Sequence, residues 1–204
     1  PRVSVAYKIA NKSQLSLAYG SFYQTANPDY LKFTPNLKYE NTNHYILNYL
    51  YNDNGKMFRA EAYFKDYSNL VKFDSTISSY NSNFNNKGFG YAKGLDLFWR
   101  DNKTFKGLDY WITYSFIDSE RDYKNYEKQV TPSFIANHNF SIVTKYWVDK
   151  LKSQIGLTYS FNSGRPYDSP NETEFMNQTS KSFSYLSLGW SYLLSQQKIL
   201  YLSV

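Results

Sequence analysis

Residues 108–116 read Leu108-Asp109-Tyr110-Trp111-Ile112-Thr113-Tyr114-Ser115-Phe116. Leu108, Tyr110, Ile112, Tyr114 and Phe116 fall on one side of a period-two pattern, and Asp109, Trp111, Thr113 and Ser115 on the other. Successive side chains of an extended chain point to opposite faces, so this spacing gives one strand an apolar face and a polar one. The pattern recurs on both sides of this stretch. Leu15, Leu17 and Tyr19 alternate with polar or small residues, as do Tyr45, Leu47, Tyr49 and Tyr51. Phe89, Tyr91, Leu95, Leu97 and Trp99 do so with Lys93 as an interruption, and Ile155, Leu157, Tyr159 and Phe161 and then Leu186, Leu188, Trp190 and Tyr192 do so without one. The helical period finds no comparable support, and no stretch approaches the roughly 18 consecutive apolar residues of a membrane-spanning helix.

The pattern predicts about ten strands, near 2–9, 13–23, 42–51, 57–72, 88–101, 108–118, 137–147, 153–162, 184–192 and 198–204. Their connections alternate in kind. Short polar turns at Asn11-Lys12, 52–56, 102–107, 149–152 and 194–197 interleave with long connections at 24–41, 73–87, 119–136 and 163–183. A transmembrane barrel has that asymmetry, with short turns at one rim and long loops at the other, and a β-sandwich has no reason for it. Aromatic residues also occupy two levels of the strands. Phe22, Tyr23, Tyr45, Phe64, Phe89, Phe116, Phe161 and Tyr185 lie near the long loops, and Tyr7, Tyr51, Phe58, Trp99, Tyr110, Tyr146 and Trp190 near the short turns. Two such levels match the interfacial girdles of a membrane barrel.

The composition agrees. Aromatics make up 20% of the 204 residues, with 22 Tyr, 15 Phe and 4 Trp, and such rings fit a pleated, half-buried surface. The hydrophobic fraction of 42% coexists with a mean hydropathy of -0.62, so the apolar residues are patterned and not clustered. Cysteine is absent, which removes disulfides, thiol catalysis and cysteine-based metal sites. The expected fold class is therefore all-β: an antiparallel transmembrane β-barrel segment in the bacterial cell outer membrane, in contact with its lipids. With the long loops outside the cell, both Pro1 and Val204 fall at the extracellular rim, and an open edge cannot face lipid. Residues 1–204 are thus expected to be one partial barrel domain that lacks strands on each flank.

The run Gly88-Phe89-Gly90-Tyr91-Ala92-Lys93-Gly94-Leu95-Asp96-Leu97-Phe98-Trp99-Arg100 resembles the TonB-dependent receptor strand that reads approximately G-x-A-x-G-[IVL]-[ED]. Residues 108–115 and Ser163-Gly164-Arg165-Pro166-Tyr167 are similar to segments of the same barrels, particularly those from Bacteroidetes. The resemblance implies the C-terminal part of a barrel of about 22 strands, preceded by a plug domain that this chain does not contain. It further implies import of a nutrient such as a chelated metal, glycan or peptide, powered by a TonB-type energy-coupling protein. A surface lipoprotein is a further possible partner. The alternatives are a passive porin-type channel and a soluble carbohydrate-binding β-sandwich.

Constellations of chemistry are sparse. The net charge of +6 is spread over turns and loops with no basic stripe, so nucleic acid is not an expected partner. His44 and His138 lie on different strands without a Cys, His or carboxylate at ligand spacing, which gives no metal site and no cofactor. No Ser-His-Asp order, supported carboxylate pair or phosphate-cradling glycine loop is present, so an enzyme is not expected. The sequons at Asn11, Asn171 and Asn177 have no glycosylation meaning in a bacterial barrel. Asp118, Glu120, Arg121, Asp122 and Glu127 read as a solvated run in a long loop. Inward-facing positions are where a solute meets the wall. By phase these are Arg59, Glu61, Tyr63 and Lys65, then Asp96, Trp111, Asn139 and Lys145. The candidate solute-binding set is Arg165, Tyr167 and Asp168 in the loop after the eighth strand, with Trp111 and Tyr63 on the wall, because Arg beside Tyr can hydrogen-bond and stack on a polar solute.

Overall fold

A computed structural model describes residues 1–74 and 83–204. The strands are β1 (Arg2–Ala10), β2 (Ser13–Gln24), β3 (Glu40–Asp53), β4 (Lys56–Lys72), β5 (Asn85–Asp101), β6 (Leu108–Asp122), β7 (His138–Val148), β8 (Ser153–Asn162), β9 (Pro166–Tyr167), β10 (Gln178–Thr179), β11 (Phe183–Ser195) and β12 (Lys198–Ser203). All but β9 and β10 form one 10-stranded sheet in the order β1-β2-β3-β4-β5-β6-β7-β8-β11-β12. Each strand pairs antiparallel with the next, so the sheet is an up-and-down meander and every expected strand is present.

The register confirms that the two alternating sets occupy opposite faces. Leu17 pairs with Leu47, Leu47 with Ala62, Ala62 with Leu95 and Leu95 with Phe116, which makes a continuous apolar row on the outer face. Ser16, Asn48, Glu61, Asp96, Ser115 and Asn139 make the corresponding inner row. Among the described residues nothing covers the outer face: Val5 is 65% exposed, Leu17 58% and Leu188 49%. Side chains of this kind in such numbers are stable against lipid and costly against water.

The short turns are built by residues that tolerate left-handed backbone. Asn54 and Gly55 have φ of 36° and 97°, the pair of positive values that a type I′ hairpin needs to follow the twist of its strands. Lys12 crosses to Asp53 at 2.7 Å and ties two of these turns together. At the turn after β5, Asp101 is buried and accepts from the Thr104 hydroxyl at 2.5 Å and from the backbone N–H groups of Lys103 and Thr104 at 2.8 and 2.9 Å, with the Lys56 ammonium at 3.7 Å. The Thr104 hydroxyl first, then these amides and Lys56, outweigh burial and hold the carboxyl down at about 2. A carboxyl depressed in the fold stabilises it above the ordinary value of about 3.9 and loses that contribution as pH falls toward 2. The Asp101→Asn protein should melt at a lower temperature than wild type at pH 7, and the gap should close between about pH 4 and pH 2. Heat-modifiable gel mobility, measured across that range, checks it.

Three expectations change. β6 continues to Asp122, so Asp118, Glu120, Arg121 and Asp122 stand on a strand rather than in a loop. The strand outruns the apolar band, because a polar outer face is stable once it is beyond lipid. Phe22 and Tyr185 do not join the outer girdle: Phe22 pairs with Thr42 and Tyr185 with Ser160, both on the inner face. The loop before β11 carries its own hairpin, β9 with β10.

The long connections are called here L1 (25–39), L2 (73–84), L3 (123–137) and L4 (163–182), of which L2 is described at 73–74 and 83–84 only. In L1 a short helix, α1 (Pro28–Leu31), starts at Asn27, whose side chain accepts from Asp29 N at 3.0 Å. Its Tyr30 packs with Ala26, Val71, Phe73 and Phe84 into the main buried cluster, with Tyr30 and Phe84 stacked at 5.1 Å. A bulge at Asn69, φ 57°, brings β4 into this cluster. One extra residue there shifts the alternation, so that Leu70, not Asn69, pairs with Gly88.

Candidate functional site

The polar inner face and the loops above it form one side of the sheet. Its lower and middle rungs are polar, and several of their groups pair with one another. Glu61 accepts from Asn48 Nδ2 at 3.1 Å, and Asp96 accepts from the Ser115 hydroxyl. Arg100 binds Asp109 through two hydrogen bonds of 3.0 and 2.7 Å. Between these groups lies a depression of about 540 Å³ whose lining includes Arg59, Asp96, Ser115, Asn139 and Tyr185. Hydroxyls, amides, the Asp96 carboxylate and the Arg59 guanidinium, which has no ion-pair partner among the described residues, can hydrogen-bond a hydrated solute.

Two inner rungs just below the Gln24–Glu40 pair, which lies nearest L1, differ from those beneath them. One joins Arg2, Gly20, His44, Lys65, Ala92 and Ser119; the next joins Phe22, Thr42, Tyr67, Gly90 and Arg121. Each permanent cation in them lies over a ring: Arg2 over Phe22 at 4.3 Å, Lys65 over Tyr63 at 4.9 Å and Arg121 over Tyr67 at 4.2 Å. Phe22 in turn packs against His44 at 4.5 Å, with the rings tilted by 38°.

The loops are joined to one another above these rungs. L1 meets the start of β5 where Asn86 bonds both ways with the Lys38 backbone, at 2.7 and 3.2 Å. L2 meets L3 through Phe73 N to Lys124 O at 2.9 Å and Lys124 N to Val71 O at 2.6 Å, reinforced by the Lys72–Asp122 pair. L3 meets L4 through Lys128 and Glu174 at 2.5 Å and through Tyr126 against Phe175 at 5.2 Å. Next to Tyr126, Tyr123 has its hydroxyl pushed up to about 12 by burial, the expected cost of ionising a phenol packed among rings. A polar cleft of about 390 Å³ separates L3 from L4.

The sequence-derived candidates divide between two places. Arg165, Tyr167 and Asp168 stand together on the L4 hairpin: Arg165 N donates to Ser180 Oγ at 2.9 Å, Tyr167 pairs with Gln178, and Asp168 Oδ1 accepts from Met176 N at 3.3 Å. Tyr63 is on the middle of the inner wall, with its ring against Gly94. Trp111 is one rung from the short turns, flanked by Arg100 and Lys145 at 5.9 and 5.2 Å. The hairpin is therefore separated from Trp111 by the length of the wall. Arg2, Phe22, Tyr67 and Arg121 were absent from the candidates. The signal for Arg121 was available, since it continues the phase of Trp111, Thr113, Ser115 and Ser119.

A family model described as TonB dependent receptor-like, beta-barrel matches residues 1–204. No curated protein matches the sequence. Among solved structures, the ferric-catecholate import receptor Fiu from E. coli, in its closed form, superposes with a TM-score of 0.75 at 10% identity, over 99% of this chain and 29% of that one. The FrpB iron transporter from Neisseria meningitidis gives 0.76 at 13% identity, over 95% and 32%. The pyoverdine outer membrane receptor FpvA from Pseudomonas aeruginosa, bound to pyoverdine, gives 0.75 at 13%, over 96% and 30%. This chain spans about a third of the length of each.

Proposed function

Because this chain belongs to the TonB-dependent receptor-like β-barrel family, a family of the bacterial outer membrane, we propose that it supplies wall, lumen and loops to an energised importer of a small nutrient. The observation that carries this reading is the one-sided build of the sheet. Its long connections are fused into a single platform at one rim, above a wall whose polar groups point away from the lipid-facing side. A wall of this kind binds and passes a hydrated solute; it does not transform one. The descriptions of Fiu as an import receptor and FrpB as an iron transporter support the same reading.

In this scheme the solute first meets L4, where Arg165 and Tyr167 contact it and Asp168 holds the hairpin in shape. Tyr63 and Trp111 line the path below. An N-terminal plug domain closes the lumen, and a TonB-type protein drives its rearrangement, with a surface lipoprotein as a further partner over the loops. Catalysis has no place in the cycle.

A passive channel is the rival, and two measurements on the intact receptor separate them. Liposomes carrying it should not swell in isosmotic arabinose, and cells lacking the energy-coupling protein should bind the nutrient at the surface without accumulating it. Free arabinose influx, or accumulation without coupling, would overturn the proposal. In the same cells Arg165→Ala and Tyr167→Ala, at normal receptor levels, should each reduce uptake several-fold; unchanged uptake removes L4 from the path.

A further inference from the structure

We infer that two short turns, 102–107 and 149–152, bind anionic phospholipid headgroups of the periplasmic leaflet and anchor the barrel in that monolayer. Short turns of an outer-membrane barrel stand at its periplasmic rim. These two are neighbours, with Trp147 N donating to the Gly107 carbonyl at 2.8 Å. They join β5 to β6 and β7 to β8, strands inside the sheet, so wall added at either edge does not cover them. The outer-face residues that lead into them include Trp99, Tyr110 and Tyr146, with Trp99 Nε1 donating to the Tyr110 hydroxyl at 3.4 Å. Rings with a polar edge mark the level where acyl chains give way to headgroups. The turns therefore lie at headgroup depth.

Charge decides what they meet there. The carboxylates at this rim are already engaged: Asp53 by Lys12, Asp101 by Thr104 and Lys56, Asp109 by Arg100, and Asp149 by Trp147 Nε1 at 2.7 Å. Lys106, Lys150 and Lys152 are left over, and among the described residues none of them lies within 4.0 Å of a carboxylate. Lys103 differs from them because it also acts on Asp53. With Asp149 as the nearest acid in sequence, these lysines give the two turns a cationic face, and the attraction of such a face for an anionic surface grows with each lysine. The turns also carry apolar tips. Phe105 is 57% exposed and Leu151 61%, the first beside Lys106 and the second between Lys150 and Lys152. An apolar tip flanked by cations fits a monolayer, where the side chain enters the acyl region and the ammonium stays at the phosphates. A sugar polymer or an acidic protein segment would use the lysines and leave Phe105 and Leu151 in water.

The test places a bimane fluorophore on Leu151→Cys of the intact receptor, freed of any other cysteine. The receptor is reconstituted in phosphatidylcholine vesicles that contain an equal mole fraction of either dibrominated phosphatidylglycerol or dibrominated phosphatidylcholine, whose bromines quench on contact. The brominated phosphatidylglycerol should quench as though enriched about threefold or more over its zwitterionic counterpart. That preference should vanish in molar salt, where the Debye length is about 3 Å. Lys106→Gln with Lys150→Gln should bring the preference close to unity, and Lys106→Arg with Lys150→Arg should keep it, because the charge is kept. A bimane on Asn11→Cys, in the turn whose Lys12 is already paired with Asp53, should report no preference. Equal quenching by the two lipids overturns the inference, as does an unchanged preference in the glutamine double variant or the same preference at Asn11. Quenching by neither lipid means that protein covers the turn, and overturns it too. None of these measurements involves uptake, so each outcome leaves the import reading as it stands.

Discussion

Replacing Gly94 with valine should prevent the barrel from forming normally, with folded receptor in the outer membrane sharply reduced and heat-modifiable mobility lost. A Cβ at position 94 would fall on the Phe116 carbonyl oxygen of the adjacent strand and within 2.6 Å of Tyr63 Cζ. Tyr63 is a side chain and could swing aside. The carbonyl belongs to the β5–β6 ladder, where Gly94 pairs with Ile117 directly beside Leu95 and Phe116, and it moves only if the strands move apart. Overpacking of this kind costs about 1–3 kcal/mol where side chains can adjust, and more where backbone must. The Gly94→Val, Tyr63→Ala double variant separates the two obstacles. It should remain as defective as Gly94→Val alone, because the carbonyl is untouched; recovery of folded receptor would show that the ring was the obstacle.

Leu157→Arg and Thr158→Arg, one residue apart on β8, should differ by about 2–4 kcal/mol in folding stability, with the leucine variant the weaker. Leu157 pairs with Thr144 and Leu188 on the outer face, between Ile155 and Tyr159, so an arginine there enters the apolar band. Thr158 pairs with Val143 and Ser187 on the inner face, where the neighbouring Gly156 leaves room and water reaches the wall. Chemical unfolding in lipid or detergent micelles gives the difference directly. Equal destabilisation would mean that the two faces share one environment, which excludes the lipid-facing assignment.

How far the sequence alone leads is visible in particular residues. Tyr110, Ile112, Tyr114 and Phe116 were readable as one face because side-chain direction in a strand depends only on position modulo two, a local rule that distant contacts do not alter. Asn54-Gly55 was readable as a turn for a similar reason, since its positive dihedrals are cheap for few residue types. Phe22 defeated the same approach. It sits beside Tyr23 near the end of β2, both are aromatic, and only the pairing with Thr42 shows which of them points inward. The β4 bulge at Asn69 is harder still, because an inserted residue leaves no mark in composition while reversing every facing beyond it.

The candidate site divides along the same line. Arg165, Tyr167 and Asp168 could be picked out because they are close together in the chain, and Tyr63, Trp111 and Lys65 because phase places them inward. Arg121 was readable as inward but not as caged, since Tyr67, Tyr123 and Phe134 reach it from β4 and two parts of L3. By itself, then, the sequence determined the strands, their two faces and the division into short turns and long loops, all of which follow from local periodicity. Only the tertiary structure decided that L1 to L4 form one platform and that Arg2, Lys65 and Arg121 share two rungs without a carboxylate. Those facts depend on register between strands, and register is set by pairing across the sheet rather than by any stretch of the chain.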